Sequence, residues 1–138
     1  MENNLDNMQY KYVIGSIVLD KGQIAQVTAI NCTGDIETTV SKITNWELLE
    51  GIDLTDEILL KSGFYRSDDF TKIETFRFDL NPQLVVRKVR GSSGFYVTIG
   101  YLDVPIYCVS DLQAALYSTP YFNRITSSLL STIKELIK

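Results

Sequence analysis

Residues 52–64, IDLTDEILLKSGF, are the part of the sequence that says most about the fold. Thr55 is a favourable helix N-cap, because its hydroxyl can accept a hydrogen bond from a free amide of the first turn. Acidic residues at positions 56 and 57 suit the positive end of a helix dipole. Gly63 suits the left-handed residue that commonly follows the last helical turn. The stretch therefore predicts a short helix over residues 55–62, followed by a sharp reversal of the chain.

Runs rich in β-branched and aromatic residues lie on both sides of this predicted helix. Before it, three runs separated by tight turns predict a three-stranded, partly open barrel of the SH3-like kind over residues 10–46. Its strands are expected at 10–19, 23–30 and 36–43, with Asp20-Lys21-Gly22 as a hairpin turn. After the helix, four runs predict an antiparallel meander over residues 72–109. Its strands are expected at 72–79, 84–90, 95–102 and 104–109.

Residues 110–137 predict two further helices, so that the chain as a whole is expected to be a single α+β domain. Ser110 is the expected N-cap of the first helix, and Thr119-Pro120 is the expected start of the second. In the second helix, apolar residues recur at steps of three and four positions. This apolar stripe consists of Phe122, Ile125, Leu129, Ile133 and Leu136. The stripe predicts packing against the protein's own sheet, and the alternative is an assembly helix that forms a homodimer seam or lies in a partner's groove.

Composition restricts the chemistry more strongly than it restricts the fold. The 138-residue chain has no histidine, which excludes Ser-His-Asp and Cys-His catalytic arrangements and removes the usual zinc ligand sets. Cys32 and Cys108 have no metal-ligand spacing and favour two packed, reduced thiols. We therefore predict a protein that is not an enzyme and that uses no metal or other cofactor. A hydrolase based on carboxylates is the alternative.

The N-terminal residues are polar, and no apolar run approaches the ~20 residues that are needed to cross a bilayer. The sequence therefore predicts a cytoplasmic protein without a membrane partner.

Two charged segments are the candidate binding surfaces. Seven carboxylates between positions 47 and 69 can imitate the phosphates of a nucleic acid and occupy a basic cleft on a partner: Glu47, Glu50, Asp53, Asp56, Glu57, Asp68 and Asp69. A predicted hairpin places cations beside aromatic rings, a combination that binds phosphates and stacks on unpaired bases: Arg87, Lys88, Arg90, Phe95 and Tyr96. Because strand residues alternate between faces, Arg87 and Lys88 are expected to diverge. For each set the alternative is an ordinary solvated surface.

Three motifs follow one another along the chain: GSIV at 15–18, LTDEILLKSGF at 54–64 and VSDLQAALY at 109–117. Their order and spacing resemble an uncharacterised family of small proteins from phages and prophages of Bacteroidota. That family has the pattern G-x-x-V, P-L-T-x-E-x-L-L-x-x-G-F and V-H-x-L-Q-N-L-Y. Asp53 and Ser110 stand where the family usually has proline and histidine.

The resemblance implies a mobile-element origin and a fold, and it carries no activity with it. Together with the missing catalytic groups, it predicts a binding protein that acts on a host protein. The expected role is that of an anti-CRISPR-like inhibitor, whose target is a CRISPR effector or another nucleic-acid-guided defence nuclease. The alternative is a nucleic-acid-binding accessory protein that uses the basic-aromatic hairpin.

Overall fold

The computed structural model describes residues 12–67, 73–78, 84–89, 91, 94–99 and 102–137. Within these residues the chain forms two antiparallel sheets and three α-helices. The predicted α+β fold class is therefore confirmed.

The first sheet has four strands, in the order β3-β2-β1-β4. Its strands are β1 (Ile17–Asp20), β2 (Gln23–Ile30), β3 (Ile36–Thr38) and β4 (Leu49–Glu50). The predicted hairpin between β1 and β2 is confirmed: Lys21 and Gly22 both have positive φ, 54° and 78°, which is the geometry of a type I′ turn. Two predicted strands are too long, because residues 12–16 and 39–43 lie outside β1 and β3. A fourth strand was not predicted. It forms because the chain leaves a 3₁₀ helix at Trp46–Leu48 and pairs its next two residues with β1. The SH3-like barrel stays a prediction.

The second sheet has five strands in sequential order, which confirms the antiparallel meander and adds one short strand to it. Its strands are β5 (Tyr65–Arg66), β6 (Ile73–Phe78), β7 (Leu84–Val89), β8 (Phe95–Ile99) and β9 (Leu102–Ile106). Two predicted strands of this sheet, 95–102 and 104–109, have wrong boundaries. Leu102 pairs with Ile99, so it begins β9 and does not end β8. Val109 begins a helix and does not end a strand.

The helices are α1 (Asp56–Lys61), α2 (Val109–Leu116) and α3 (Phe122–Leu136). α1 agrees with the prediction in detail. The Thr55 hydroxyl accepts a hydrogen bond from the Ile58 amide at 3.2 Å. After Gly63, whose φ is 110°, the Phe64 amide donates to the Leu59 carbonyl at 3.1 Å. This reversal satisfies the last free carbonyls of the helix.

The two C-terminal helices begin at other residues than predicted. Cys108, and not Ser110, is the N-cap of α2, since the Asp111 carboxylate accepts hydrogen bonds from the backbone amides of Tyr107 and Cys108. α3 begins at Phe122, just beyond the Thr119-Pro120 pair.

One main core lies between the five-stranded sheet, the three helices and one face of β1. The apolar stripe of α3 belongs to this core: Ile125, Leu129 and Ile133 are at most 1% exposed, and Leu136 packs against them. The predicted packing against the protein's own elements is therefore confirmed for these side chains, whereas Phe122 is half-buried. Assembly through a homodimer seam or a partner's groove stays a prediction. A second, smaller core lies on the opposite face of β1.

Candidate functional site

Four exposed carboxylates line the segment that connects the two sheets. Along this segment the apolar side chains point inward: Leu49, Ile52 and Leu54 are 5%, 5% and 4% exposed. The acidic residues between and beside them lie on the solvent side. We name these four the acidic ridge: Glu47, Glu50, Asp53 and Glu57.

The backbone beneath the acidic ridge is held by both halves of the molecule. Glu50 pairs with β1 of the first sheet, and Asp53 forms an antiparallel bridge with Cys108. On either side of Asp53, the backbones of Ile52 and Leu54 are hydrogen-bonded to the chain that enters α2, at 2.8 and 3.1 Å. Glu50 and Asp53 therefore project from paired, extended backbone, whereas Glu47 lies on the 3₁₀ helix and Glu57 lies in the first turn of α1.

Within the described residues, no lysine or arginine side chain neutralises the carboxylates of the acidic ridge. None of its four carboxylates forms an ion pair with another described residue. Asp56, which was predicted to belong with them, is instead bound by Arg66 and Lys88 at 3.1 and 2.9 Å. The remaining members of the predicted set, Asp68 and Asp69, lie outside the described residues.

Asp56 belongs to a group of two carboxylates and two cations that joins α1 to the second sheet. Glu74 completes the group, at 2.9 Å from Arg66 and 3.5 Å from Lys88. The hydrogen bond with Asp56 raises the pKa of Lys88 and outweighs burial, which lowers it. Lys88 also lies over the ring of Phe95, at 5.1 Å from its centroid. These contacts give Lys88 a structural role at the base of α1.

The predicted basic-aromatic set does not form one contact surface. The strand register pairs Arg87 with Tyr96 and Lys88 with Phe95, on opposite faces of the sheet. Phe95 is only 4% exposed and belongs to the main core. Arg90 lies outside the described residues. The prediction that Lys88 and Phe95 contact nucleic acid is therefore wrong, whereas the predicted divergence of Arg87 and Lys88 is confirmed.

The two cysteines are not joined to each other. The prediction of a packed thiol is wrong for Cys32, which is exposed, whereas Cys108 is half-buried. The Cys108 sulfur lies 3.3 Å from the Asp111 carboxylate and 3.7 Å from the Ser110 hydroxyl. Burial, followed by the charge of Asp111, raises the pKa of the Cys108 thiol. This environment disfavours the thiolate, which is the opposite of what a nucleophilic cysteine needs.

A shallow depression of about 170 Å³ lies at the open end of the first sheet. Its lining mixes carboxylates, one lysine and apolar side chains: Ala29, Asn31, Asp35, Ile36, Glu37, Lys42 and Ile43. Sequence reasoning missed it, because it depends on the bridge that brings Thr44 beside Ile36. The polar side chains of this lining do not indicate one class of ligand.

Two searches of the described residues bear on other kinds of site. No described group of three or more Cys, Asp or Glu side chains has the arrangement of a metal site. Among the same residues, no helix has both the length and the apolar character required to cross a bilayer.

Comparison of the chain with protein-family models, with curated proteins and with solved structures gives no match.

Proposed function

We propose that the protein is a non-enzymatic binding protein that presents the acidic ridge to a basic surface of a host protein in the cytoplasm. The observation that carries this proposal is the combination of exposure and rigidity. Glu47, Glu50, Asp53 and Glu57 are exposed and form no ion pair with another described residue. The backbone of Glu50 pairs with β1, and that of Asp53 pairs with Cys108.

Fixed charges are well suited to this role. A row of like charges steers an oppositely charged partner and raises its association rate by 10- to 10³-fold. Because the strand is already ordered, binding does not have to order it, and that cost to affinity is reduced.

The resemblance to phage and prophage proteins supports a partner that belongs to host defence. Nucleic-acid-guided nucleases hold the guide-target duplex in a positively charged channel. A rigid row of carboxylates can occupy such a channel in place of phosphates. We therefore propose that the partner is a nuclease of this class and that the protein inhibits it.

Guided DNA cleavage by a purified nuclease of a Bacteroidota host tests this proposal. Addition of the protein at equal molar concentration is expected to suppress cleavage. The double charge reversal Glu50→Lys with Asp53→Lys is expected to restore it. Glu135→Lys, an exposed charge reversal on α3, is the matched control and is expected to inhibit like the wild type.

All of the substituted side chains are exposed, so the free energy of unfolding is expected to change by less than about 0.5 kcal/mol per site. Unchanged cleavage at tenfold molar excess of the wild-type protein overturns the assignment to this nuclease. Inhibition that survives the double reversal overturns the role of the acidic ridge.

A further inference from the structure

The second sheet has one face in the main core and one face directed outward. On the outward face, the strand register sets Arg87 beside Tyr96, and Tyr96 beside Pro105. Tyr107 follows β9 on the same side, and a Cβ built on Gly94 would lie 3.4 Å from its ring. The face therefore carries two tyrosine rings and a guanidinium on neighbouring strands.

The accessible part of this face lies over β7, β8 and β9. Tyr107 is 65% exposed and Val89 is 49% exposed, whereas Thr75 on β6 is only 1% exposed. Arg87 and Tyr96 are half-buried, so each residue keeps part of its surface in contact with solvent. We name this area the outer platform and define it by five residues: Arg87, Val89, Tyr96, Pro105 and Tyr107.

The spacing of the aromatic rings suits successive planar ligands. Tyr107 is two residues beyond Pro105, which pairs with Tyr96, so the two tyrosines are diagonal neighbours. In an antiparallel sheet, diagonal neighbours are about 7–8 Å apart. Two unpaired bases of one strand can stack on two rings arranged in this way, because each base has a π-face that an aromatic side chain accepts.

One cation of the outer platform can contact a phosphate. On the described parts of β7, β8 and β9, this face carries one arginine, Arg87, and one carboxylate, Asp103. Asp103 accepts a hydrogen bond from the Thr98 hydroxyl at 2.8 Å. That hydroxyl in turn accepts a hydrogen bond from Nη1 of Arg87 at 3.2 Å, which fixes the guanidinium beside Tyr96.

We propose that the outer platform binds single-stranded nucleic acid, with the bases stacked on Tyr96 and Tyr107 and a phosphate held by Arg87. This site differs from the predicted hairpin set, because Lys88 and Phe95 lie on the other face and take no part. It also shares no residue with the acidic ridge, so the two proposals fail or succeed separately.

Fluorescence anisotropy with labelled dT20 and rU20 tests the proposal, and a 20-base-pair duplex serves as the comparison ligand. At 50 mM salt the wild-type protein is expected to bind the single strands with a dissociation constant of roughly 1–100 µM. The duplex is expected to bind more weakly, since its bases are already stacked on one another. Equal or tighter binding of the duplex overturns the stacking mechanism, and so does the absence of binding to both single strands at 500 µM protein.

Substitutions on the outer platform locate the site. Tyr107→Ala and Tyr96→Leu are each expected to weaken binding by roughly 5- to 150-fold, whereas Tyr96→Phe keeps the ring and is expected to bind like the wild type. Tyr117→Ala is the matched control, because Tyr117 is 48% exposed at the end of α2. Loss of binding in Tyr117→Ala equal to that in Tyr107→Ala overturns the assignment of this face.

The salt dependence tests the phosphate contact. Arg87→Gln is expected to reduce the slope of log K against log salt by about 0.7, the value for one phosphate contact on a single strand. An unchanged slope overturns the role of Arg87. Light scattering of the free protein tests whether a second copy of the chain covers the outer platform instead. A wild-type dimer that becomes monomeric in Tyr107→Ala would assign the face to that second copy and overturn the proposal.

Discussion

Replacement of Gln113 by alanine removes the side chain that joins β1 to both C-terminal helices. Gln113 lies on α2 and is 1% exposed. Its carbonyl oxygen accepts a hydrogen bond from the Ile17 amide at 2.7 Å. Its amide nitrogen donates to the Gly15 carbonyl at 2.8 Å and to the Thr126 hydroxyl on α3 at 3.1 Å. One side chain on α2 thus connects the neighbouring helix α3 with the start of β1, which is 96 positions away.

The cost of the substitution follows from what each partner loses. Ile17 is 0% exposed, and its backbone N–H is left buried without an acceptor, at a cost of about 1–3 kcal/mol. The lost hydrogen bond to Thr126 costs about 1 kcal/mol more. Gly15 is affected less, since its carbonyl also accepts a hydrogen bond from Gln26 at 3.2 Å. With the small cavity left behind, the free energy of unfolding is expected to fall by about 3–4 kcal/mol.

Urea unfolding followed by circular dichroism measures this loss, which corresponds to a decrease in Tm of about 10–15 °C for a chain of this size. Gln26→Ala is the matched control, because it removes the same chemical group and one hydrogen bond to the same carbonyl. It is expected to cost less than about 1 kcal/mol. A Gln113→Ala variant that loses no more stability than Gln26→Ala would show that the Gln113 hydrogen bonds do not stabilise the fold.

Four further predictions concern stability and reactivity. A chain that ends at Ser118 lacks the apolar stripe of the main core and is expected to be unfolded by circular dichroism; a folded truncated monomer would contradict this. Lys21→Asn is expected to raise the free energy of unfolding by about 0.5–1 kcal/mol, because asparagine suits the left-handed turn, and an unchanged or lower urea midpoint would count against it. The pKa of Lys88 is raised above its ordinary 10.5 in the folded state, so the stability that it contributes is present below that pH and is lost as the pH rises through the folded pKa. The stability difference between Lys88→Met and the wild type is therefore expected to shrink between pH 8 and pH 11, and a constant difference would refute the shift. At pH 8 a thiol reagent is expected to modify exposed Cys32 at least about tenfold faster than Cys108, and equal rates would contradict the burial of Cys108.

The features that sequence predicted best are those encoded by neighbouring residues. The cap at Thr55, the reversal at Gly63 and the turn at Lys21-Gly22 each depend on hydrogen bonds or backbone preferences within a few positions. The alternation that separates Arg87 from Lys88 is likewise local, since it follows from the pleat of a single strand.

The features that sequence did not predict depend on contacts between distant positions. Contrary to the prediction, Asp56 does not belong to the acidic ridge, because Lys88, which is 32 positions away, binds its carboxylate. In the sequence, Gln113 is an ordinary helical residue. Its contact with the Ile17 amide, 96 positions away, is formed only in the folded chain. The exposed ring of Tyr107 was counted as part of a strand. Only the register between β8 and β9, which pairs Tyr96 with Pro105, shows that Tyr107 is a diagonal neighbour of Tyr96 on the outer platform.

The central claim is that the acidic ridge binds a host protein through its charges. A pull-down from a Bacteroidota host lysate, with the wild-type chain, the Glu50→Lys/Asp53→Lys variant and the Glu135→Lys control as parallel baits, tests it most directly. We expect the wild type and the control to recover one basic protein in stoichiometric amount, and the double reversal to lose it. Recovery of no stoichiometric protein by the wild type, or equal recovery by all three baits, would contradict the claim.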